Sequence, residues 1–219
     1  RYFIMKRLVL KFGGTSVGTL EKIKKVANIV KKKFSESNEI IVIVSAMSGE
    51  TNKLAEQSKM VSKNFDNKEL DTLLSAGEQI SSSLLSGALI EQGLNARSWL
   101  GWQIPIITNN NYTSSQIVKI KTEEILNFLS KRGVAVIAGF QGISLENRIT
   151  TLGRGGSDLT AVAIAKFFKA DVCEIYTDVE GVLTTDPTIN DKAKIIKKIS
   201  YEEMLEMSSL GAKVMQPTS

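Results

Sequence analysis

Leu8-Val9-Leu10-Lys11-Phe12-Gly13-Gly14-Thr15-Ser16 joins an apolar run to a pair of glycines, with a lysine at the junction. We predict a strand over residues 8–12 that ends in a glycine turn. Glycines let backbone N–H groups approach phosphate oxygens closely, and successive N–H groups form an anion-binding nest. Lys11 would add positive charge where a transferring phosphoryl group is negative. Taken alone, the stretch fits a glycine turn beside a surface lysine equally well.

Strands and helices are predicted to alternate along the rest of the chain. Helical spacing of apolar residues predicts a helix over residues 20–34, and a β-branched run predicts a buried strand over residues 40–44. Further helices are predicted over residues 70–92, 122–132, 157–168 and 200–208, and further strands within residues 96–108, 134–140, 149–152 and 172–177. This alternation indicates an α/β fold, a three-layer sandwich with a mostly parallel central sheet. Loops that follow its strands should gather at one sheet edge, where ligands bind.

A second glycine-rich stretch, Gly153-Arg154-Gly155-Gly156-Ser157-Asp158, opens a predicted helix. A helix N-terminus favours anions, and an arginine can bind a carboxylate through two parallel hydrogen bonds. Asp158 could cap the helix, orient a lysine or lie near a metal ion. The alternative is a tight turn capped by Ser157 or Asp158, which three glycines and an arginine in four positions make less favourable.

Other candidate groups depend on these two motifs for their interpretation. Glu78, in the predicted helix 70–92, could hold an ammonium group, and the polar loop 45–52 could donate hydrogen bonds to phosphate or substrate. Thr177-Asp178 ends a predicted strand and could contact a nucleotide or Mg²⁺. Without the other motifs, these features would be an exposed helix glutamate, a polar loop and an ordinary turn.

Composition excludes several kinds of chemistry. The 219 residues include no histidine, which excludes Ser-His-Asp and Cys-His catalysis and disfavours a zinc enzyme. One cysteine cannot form a disulfide within the chain. No apolar run approaches the roughly 18 residues of a membrane span. The net charge of +5 lies largely in helical lysines without interleaved aromatics, so neither membrane nor nucleic-acid binding is predicted.

These motifs together resemble the aspartate kinases of the amino-acid kinase family, over residues 7–217. The similar stretches, in the family's order, are residues 11–16, 45–47, 49–52, 75–78, 153–158, 177–182 and 211–214. The resemblance implies transfer of the γ-phosphoryl group of ATP to the side-chain carboxylate of L-aspartate. The product, 4-phospho-L-aspartate, is the first intermediate towards lysine, threonine, methionine and diaminopimelate. ATP and Mg²⁺ are implied as cofactors, with no side chain expected to bind the metal directly.

The resemblance also implies roles for individual residues. The implied catalytic residues are Lys11, Asp158 and Lys213. Those implied for aspartate are Thr51, Glu78, Arg154, Gly155, Gly156 and Ser157, with Glu78 on the ammonium group and Arg154 on a carboxylate. Those implied for ATP are Lys11, Gly13, Gly14, Ser45, Thr177, Asp178, Leu183, Lys213 and Val214. The family commonly has tyrosine near Leu183 and arginine near Thr188, so the chain departs from it there.

The resemblance further implies one catalytic domain over residues 1–219, which stops short of the family's last helix and strand and has no regulatory domain. A cytoplasmic location is expected, and a homodimer is compatible with the resemblance. Two alternatives stay open. One is a sibling kinase for another amino acid, carbamate or a nucleoside monophosphate, and the other is an inactive fragment that only binds ligand.

Overall fold

A computed structural model describes residues 6–35, 38–177, 194 and 196. The elements in these ranges alternate largely as expected. In chain order they are β1 (Lys6–Phe12), α1 (Leu20–Lys33), β2 (Asn38–Val44), α2 (Glu50–Val61), α3 (Asn67–Leu74), α4 (Ala76–Glu91), β3 (Ala96–Trp99), β4 (Ile106–Thr108), β5 (Ile117–Ile120), α5 (Glu123–Ser130), β6 (Val134–Ala138), β7 (Gln141–Ser144), β8 (Ile149–Thr151), α6 (Gly156–Phe167) and β9 (Val172–Tyr176).

The central sheet is parallel and has the strand order β3-β6-β2-β1-β9. Its register aligns the carboxyl ends of four strands. Phe12 lies opposite both Val44 and Tyr176, and Val44 lies opposite Ala138. The segments that follow these four residues therefore leave the sheet side by side, which confirms the expected gathering of loops at one edge.

Helices cover both faces of this sheet. On β1, Leu8 and Leu10 pack towards α1 and α4, whereas Val9 between them packs with residues of α5 and α6. Alternate residues of a strand point to opposite faces, so a strand in the middle layer must be apolar throughout. Residues 40–44 of β2 meet this condition, since all five are fully buried. The predicted three-layer α/β sandwich with a parallel central sheet is confirmed.

A second sheet of four strands, in the order β5-β4-β7-β8, extends the molecule near the same edge. Strands β7 and β8 form an antiparallel hairpin that pairs Gln141 with Thr151. Thr151 is the last residue of β8, so this hairpin delivers the chain directly to Gly153 and the second glycine motif. The second sheet thereby fixes where that motif enters the site.

The structure differs from the predicted local structure in three places. The predicted helix 70–92 is two helices, separated at Ser75, whose carbonyl accepts a hydrogen bond from Gln141 Nε2 at 2.9 Å. The segment predicted as a polar loop becomes helix α2 at Glu50, and only Ser58 of that helix is buried, so it lacks an apolar stripe. Strands β5 and β7 were not predicted. The predicted helix 200–208 lies outside the described residues.

No helix within the described ranges combines the length and apolar character that a membrane span requires.

Candidate functional site

A cavity of about 690 Å³ opens at the carboxyl edge of the central sheet. It is enclosed by the segments after β1 and β2, the first turns of α2, α4 and α6, and one side of α3. Ten residues proposed from sequence line it together: Lys11, Gly14, Ser45, Thr51, Glu78, Arg154, Gly155, Gly156, Ser157 and Asp158. Residues separated by more than 140 positions in the chain thus share one site.

The remaining candidates lie elsewhere. Gly13 borders the site, because a Cβ atom on it would be 3.4 Å from Lys11 Nζ, and its N–H donates to the Tyr176 carbonyl at 3.3 Å. Thr177 lines a second cavity, of about 320 Å³, between the first glycine turn, α1 and β9. Four candidates lie outside the described residues: Asp178, Leu183, Lys213 and Val214.

Lys11 and Asp158 form an ion pair on the inner wall of the cavity. Lys11 is the penultimate residue of β1, Asp158 lies in the first turn of α6, and Lys11 Nζ is 2.6 Å from Asp158 Oδ1. Their side chains are only 9% and 15% exposed, so solvent screens the pair weakly. Of the three roles open to Asp158, orienting a lysine is the one this geometry shows. The alternative of a side-chain cap is wrong, because Gly155 is the N-cap of α6 and no side chain caps it.

The second glycine motif is a backbone turn that larger residues would distort. Gly153 and Gly155 have φ angles of 75° and 72°, in the left-handed region that favours glycine. At Gly156, an added Cβ would lie 2.7 Å from Phe140 Cδ2. The turn brings the N-terminus of α6 to the cavity wall and leaves Arg154 exposed at its rim. A flexible cation beside a helix N-terminus is well suited to binding an anion.

Glu78 presents a buried carboxylate to the cavity. Only 3% of the residue is exposed; Oε1 accepts a hydrogen bond from the Ala46 N–H at 3.0 Å, and Oε2 has no hydrogen-bond partner among the described residues. Burial raises the pKa of this carboxyl to about 8, and the bond from Ala46 opposes the rise only in part. The interpretation as an exposed helix glutamate is therefore wrong. A cation that entered the cavity would offset the cost of ionising Glu78.

Close packing of α4 against the segment after β2 holds Glu78 in place. An added Cβ on Gly77 would be 2.7 Å from Ala46 Cβ, so glycine is required for this approach. Ser81 Oγ donates to the Ser45 carbonyl at 2.7 Å, one turn further along α4. Gly77, the second residue of α4, thus permits close contact between this helix and the segment after β2.

Sequence reasoning missed Thr113 and Asp71, and it placed Phe140 at the sheet edge only as the end of the predicted strand 134–140. Thr113 and Phe140 line the cavity with φ angles of 69°, an unusual conformation for residues with side chains. Asp71 of α3 is fully buried behind the cavity wall. The only signal for Asp71 was an acid next to Leu70 in a predicted helix. Nothing in the sequence indicated Thr113, or the left-handed backbone of Phe140, because local composition does not specify backbone conformation.

The described residues contain no cluster of three or more side chains arranged to hold a metal ion. The cavity instead combines two cations, Lys11 and Arg154, with the paired Asp158 and the half-paired Glu78. Such a site can bind an anionic molecule that also has an ammonium group. It can also place a positive charge beside a phosphoryl group.

Comparison with known proteins points in the same direction. Residues 6–219 match the model of the amino acid kinase family. An aspartate kinase of Stutzerimonas stutzeri is 50% identical over 212 residues, which are 97% of this chain and 52% of that protein. The crystal structure of aspartate kinase from Synechocystis superposes with a TM-score of 0.85 at 45% identity, covering 96% of this chain and 34% of that one. The crystal structure of E. coli aspartokinase III in complex with aspartate and ADP superposes with a TM-score of 0.85 at 27% identity. The superposition covers 97% of this chain and 58% of that one. The chain spans about half the length of the curated relatives it matches.

Proposed function

The chain belongs to the amino acid kinase family, and on that premise we propose that it transfers the γ-phosphoryl group of ATP to the side-chain carboxylate of L-aspartate. Relatives about 50% identical to it are aspartate kinases, and a similar structure contains aspartate and ADP. The observation that supports the proposal most strongly is the meeting of Glu78, Arg154 and Lys11 in one cavity.

Aspartate has three charged groups, and the cavity offers a complement to each. The open Oε2 of Glu78 suits the ammonium group, since it is a buried acceptor with no described partner. Arg154 suits the α-carboxylate, because a guanidinium and a carboxylate match in shape and charge. The side-chain carboxylate would then extend towards Lys11, where the phosphoryl group is transferred. Thr51, Ser157 and the glycines at 155 and 156 complete this proposed aspartate subsite.

The chemistry proposed here requires no general base. A carboxylate with a pKa of about 4 is already ionised at pH 7 and attacks as an anion. Catalysis then consists of positioning two negative reactants and stabilising the charge that develops between them. Lys11 fits the second task, because Asp158 holds its ammonium group at 2.6 Å and the pair is largely buried. The absence of histidine from the chain agrees with this mechanism.

We assign the nucleotide phosphates to the first glycine turn, where Gly14 and Ser45 line the same cavity as Lys11 and Gly13 lies beside its ammonium group. An added Cβ on Gly14 would be 2.9 Å from the Ala46 carbonyl, which explains why glycine is needed there. Mg²⁺ is proposed to enter as the counter-ion of ATP, coordinated by phosphate oxygens, because Asp158 is already paired with Lys11. Thr177 is proposed to lie on the nucleotide side, beyond β9.

Several expectations stay predictions. These are the nucleotide-site roles of Asp178, Leu183, Lys213 and Val214, the single catalytic domain over residues 1–219, the homodimer and the cytoplasmic location. Lys213 is of particular interest, because a second cation near the phosphates would share the charge stabilisation assigned to Lys11.

The test is formation of an acyl phosphate by the purified protein with ATP, Mg²⁺ and L-aspartate, trapped with hydroxylamine as the hydroxamate. L-Glutamate, carbamate and a nucleoside monophosphate serve as parallel substrates. We expect product with aspartate and far less with glutamate, whose extra methylene displaces the reacting carboxylate. Preference for one of the other substrates would assign a sibling activity instead. ATP binding without turnover of any of them would contradict kinase activity of this chain.

A further inference from the structure

Asp71 is a buried acid that the proposed chemistry does not use. The residue has no exposed surface, and its carboxylate accepts four hydrogen bonds from two distant residues. The Thr113 N–H lies 3.0 Å from both carboxylate oxygens. The Thr151 N–H donates to Oδ2 at 2.9 Å and Thr151 Oγ1 donates to Oδ1 at 2.6 Å. One side chain thereby binds segments that are 42 and 80 residues away in the chain.

These three segments are walls of the same cavity. Helix α3 contributes Leu70 and Leu74, on either side of Asp71, and Thr113 and Thr151 are lining residues themselves. The two bonded segments also contact each other, since the Ser115 N–H donates to the Thr151 carbonyl at 2.9 Å. Asp71 therefore occupies the junction behind the wall from which Arg154 projects.

Asp71 is connected to the turn that carries Arg154 in two ways, through the chain and through packing. Along the chain, Thr151 is separated from Arg154 by only two residues. Across space, an added Cβ on Gly153 would lie 3.1 Å from the carbonyl oxygen of Thr113, so the turn packs directly on the second residue that Asp71 holds. Thr113 itself has a φ angle of 69°, a strained conformation that its hydrogen bonds to Asp71 help maintain. The base of Arg154 is thus fixed from both directions.

The buried charge of Asp71 is not explained by a contribution to stability. All of its hydrogen-bond donors within the described residues are neutral, and burial raises the pKa of the carboxyl even though the bonds from Thr151 and Thr113 oppose the rise. Burying an acid without a cation is unfavourable compared with a packed apolar residue of similar size. A carboxylate does, however, provide the acceptors that two backbone N–H groups and a hydroxyl need at once.

We propose that Asp71 is a positioning residue for substrate binding: through Thr151 and Thr113 it fixes the turn 152–155 so that Arg154 meets the substrate carboxylate. This inference rests on the proposed aspartate kinase activity. Asp71 does not touch the cavity and takes no part in phosphoryl transfer, so its loss should weaken aspartate binding much more than it slows turnover.

The test compares Asp71→Asn with Asp66→Asn in steady-state assays of hydroxamate formation. Asparagine retains the shape and can keep one oxygen for the two N–H donors at Oδ2, but it loses the negative charge and presents an NH₂ group where the Thr151 hydroxyl now donates to Oδ1. We expect KM for aspartate to rise about tenfold or more, the order of one hydrogen bond to a charged group, with kcat and KM for ATP changed less than about threefold. Asp66 caps the same helix at its exposed end, so its amide variant is a matched control that should leave all three constants unchanged.

A purely structural role would give a different result. It would lower the folded fraction, and hence kcat, with KM for aspartate unchanged, and that outcome would overturn the proposal. If Asp71→Asn does not fold, Thr151→Val removes a single donor and should raise the same KM by a smaller factor; an unchanged KM there would be equally decisive. An unaltered protein without activity towards aspartate would instead contradict the proposed function. In that case amide hydrogen exchange over residues 149–155 settles the positioning role, because equal rates in the Asp71 and Asp66 variants would exclude it.

Discussion

Aspartate binding should release a proton from the protein, because Glu78 must ionise to pair with the substrate ammonium group. Burial raises the pKa of Glu78 to about 8, so at pH 7 about nine-tenths of the protein molecules have a protonated Glu78. The ammonium group of free aspartate is already charged between pH 6 and 8. Pairing the two therefore liberates about 0.9 proton at pH 7, and about half a proton at pH 8.

The same linkage sets the pH dependence of affinity. A carboxyl with a raised pKa favours the protonated form below that pKa, which opposes binding of a cation. The dissociation constant for aspartate should therefore fall about tenfold between pH 6 and 7, about fivefold between pH 7 and 8, and about twofold more before it levels off near pH 9. A surface glutamate is ionised throughout this range and would give no such dependence.

Isothermal titration of aspartate at pH 7, in two buffers with different heats of ionisation, measures the released proton directly. Glu78→Gln removes the titrating group and should bind aspartate weakly, with no difference between the two buffers. Glu91→Gln provides the matched control, because Glu91 is an exposed glutamate at the end of the same helix. Equal heats in both buffers for the unaltered protein, with a dissociation constant independent of pH from 6 to 8, would refute the role of Glu78.

The remaining predictions concern single residues of the site. Lys11→Ala should lower kcat per folded molecule by about 10²–10³-fold, because the lysine acts on charge that develops in the transition state. The change leaves Asp158 largely buried without its partner, so circular dichroism must confirm that the variant is folded. Near-normal kcat would remove the proposed role. Arg154→Ala should raise KM for aspartate by about 10–100-fold, and an unchanged KM would move carboxylate binding elsewhere. Gly139→Ala should lower the melting temperature, because its Cβ would lie 2.9 Å from both Ser157 Cβ and the Val44 carbonyl oxygen; an unaltered melting curve would show that this junction can relax.

Local patterns in the sequence were sufficient for most of the fold. The β-branched run 40–44 predicted a strand buried on both faces, and the apolar spacing of Ile23, Val26 and Val30 predicted α1 to within one residue at its end. Both signals depend only on residues that are close together in the sequence. Helix α2 was not predicted for the same reason, since a helix that buries only Ser58 has no periodic pattern of apolar residues.

For the site, the sequence by itself determined which chemical groups are available and near which strand ends they lie. Glycine pairs after a strand, an arginine at a helix start and the lack of histidine indicated phosphate and carboxylate chemistry without a general base. Those inferences depend on residue type and short spacing, which the chain states directly.

Only the tertiary structure decided the states of these groups. Glu78 has one hydrogen-bonded oxygen and a raised pKa because α4 packs against Ala46. Lys11 forms an ion pair with Asp158 because β1 and α6 meet at one edge of the sheet. Asp71 acquires its partners from residues 42 and 80 positions away. Burial and hydrogen bonding are properties of packed segments distant in sequence, so no local pattern could have specified them.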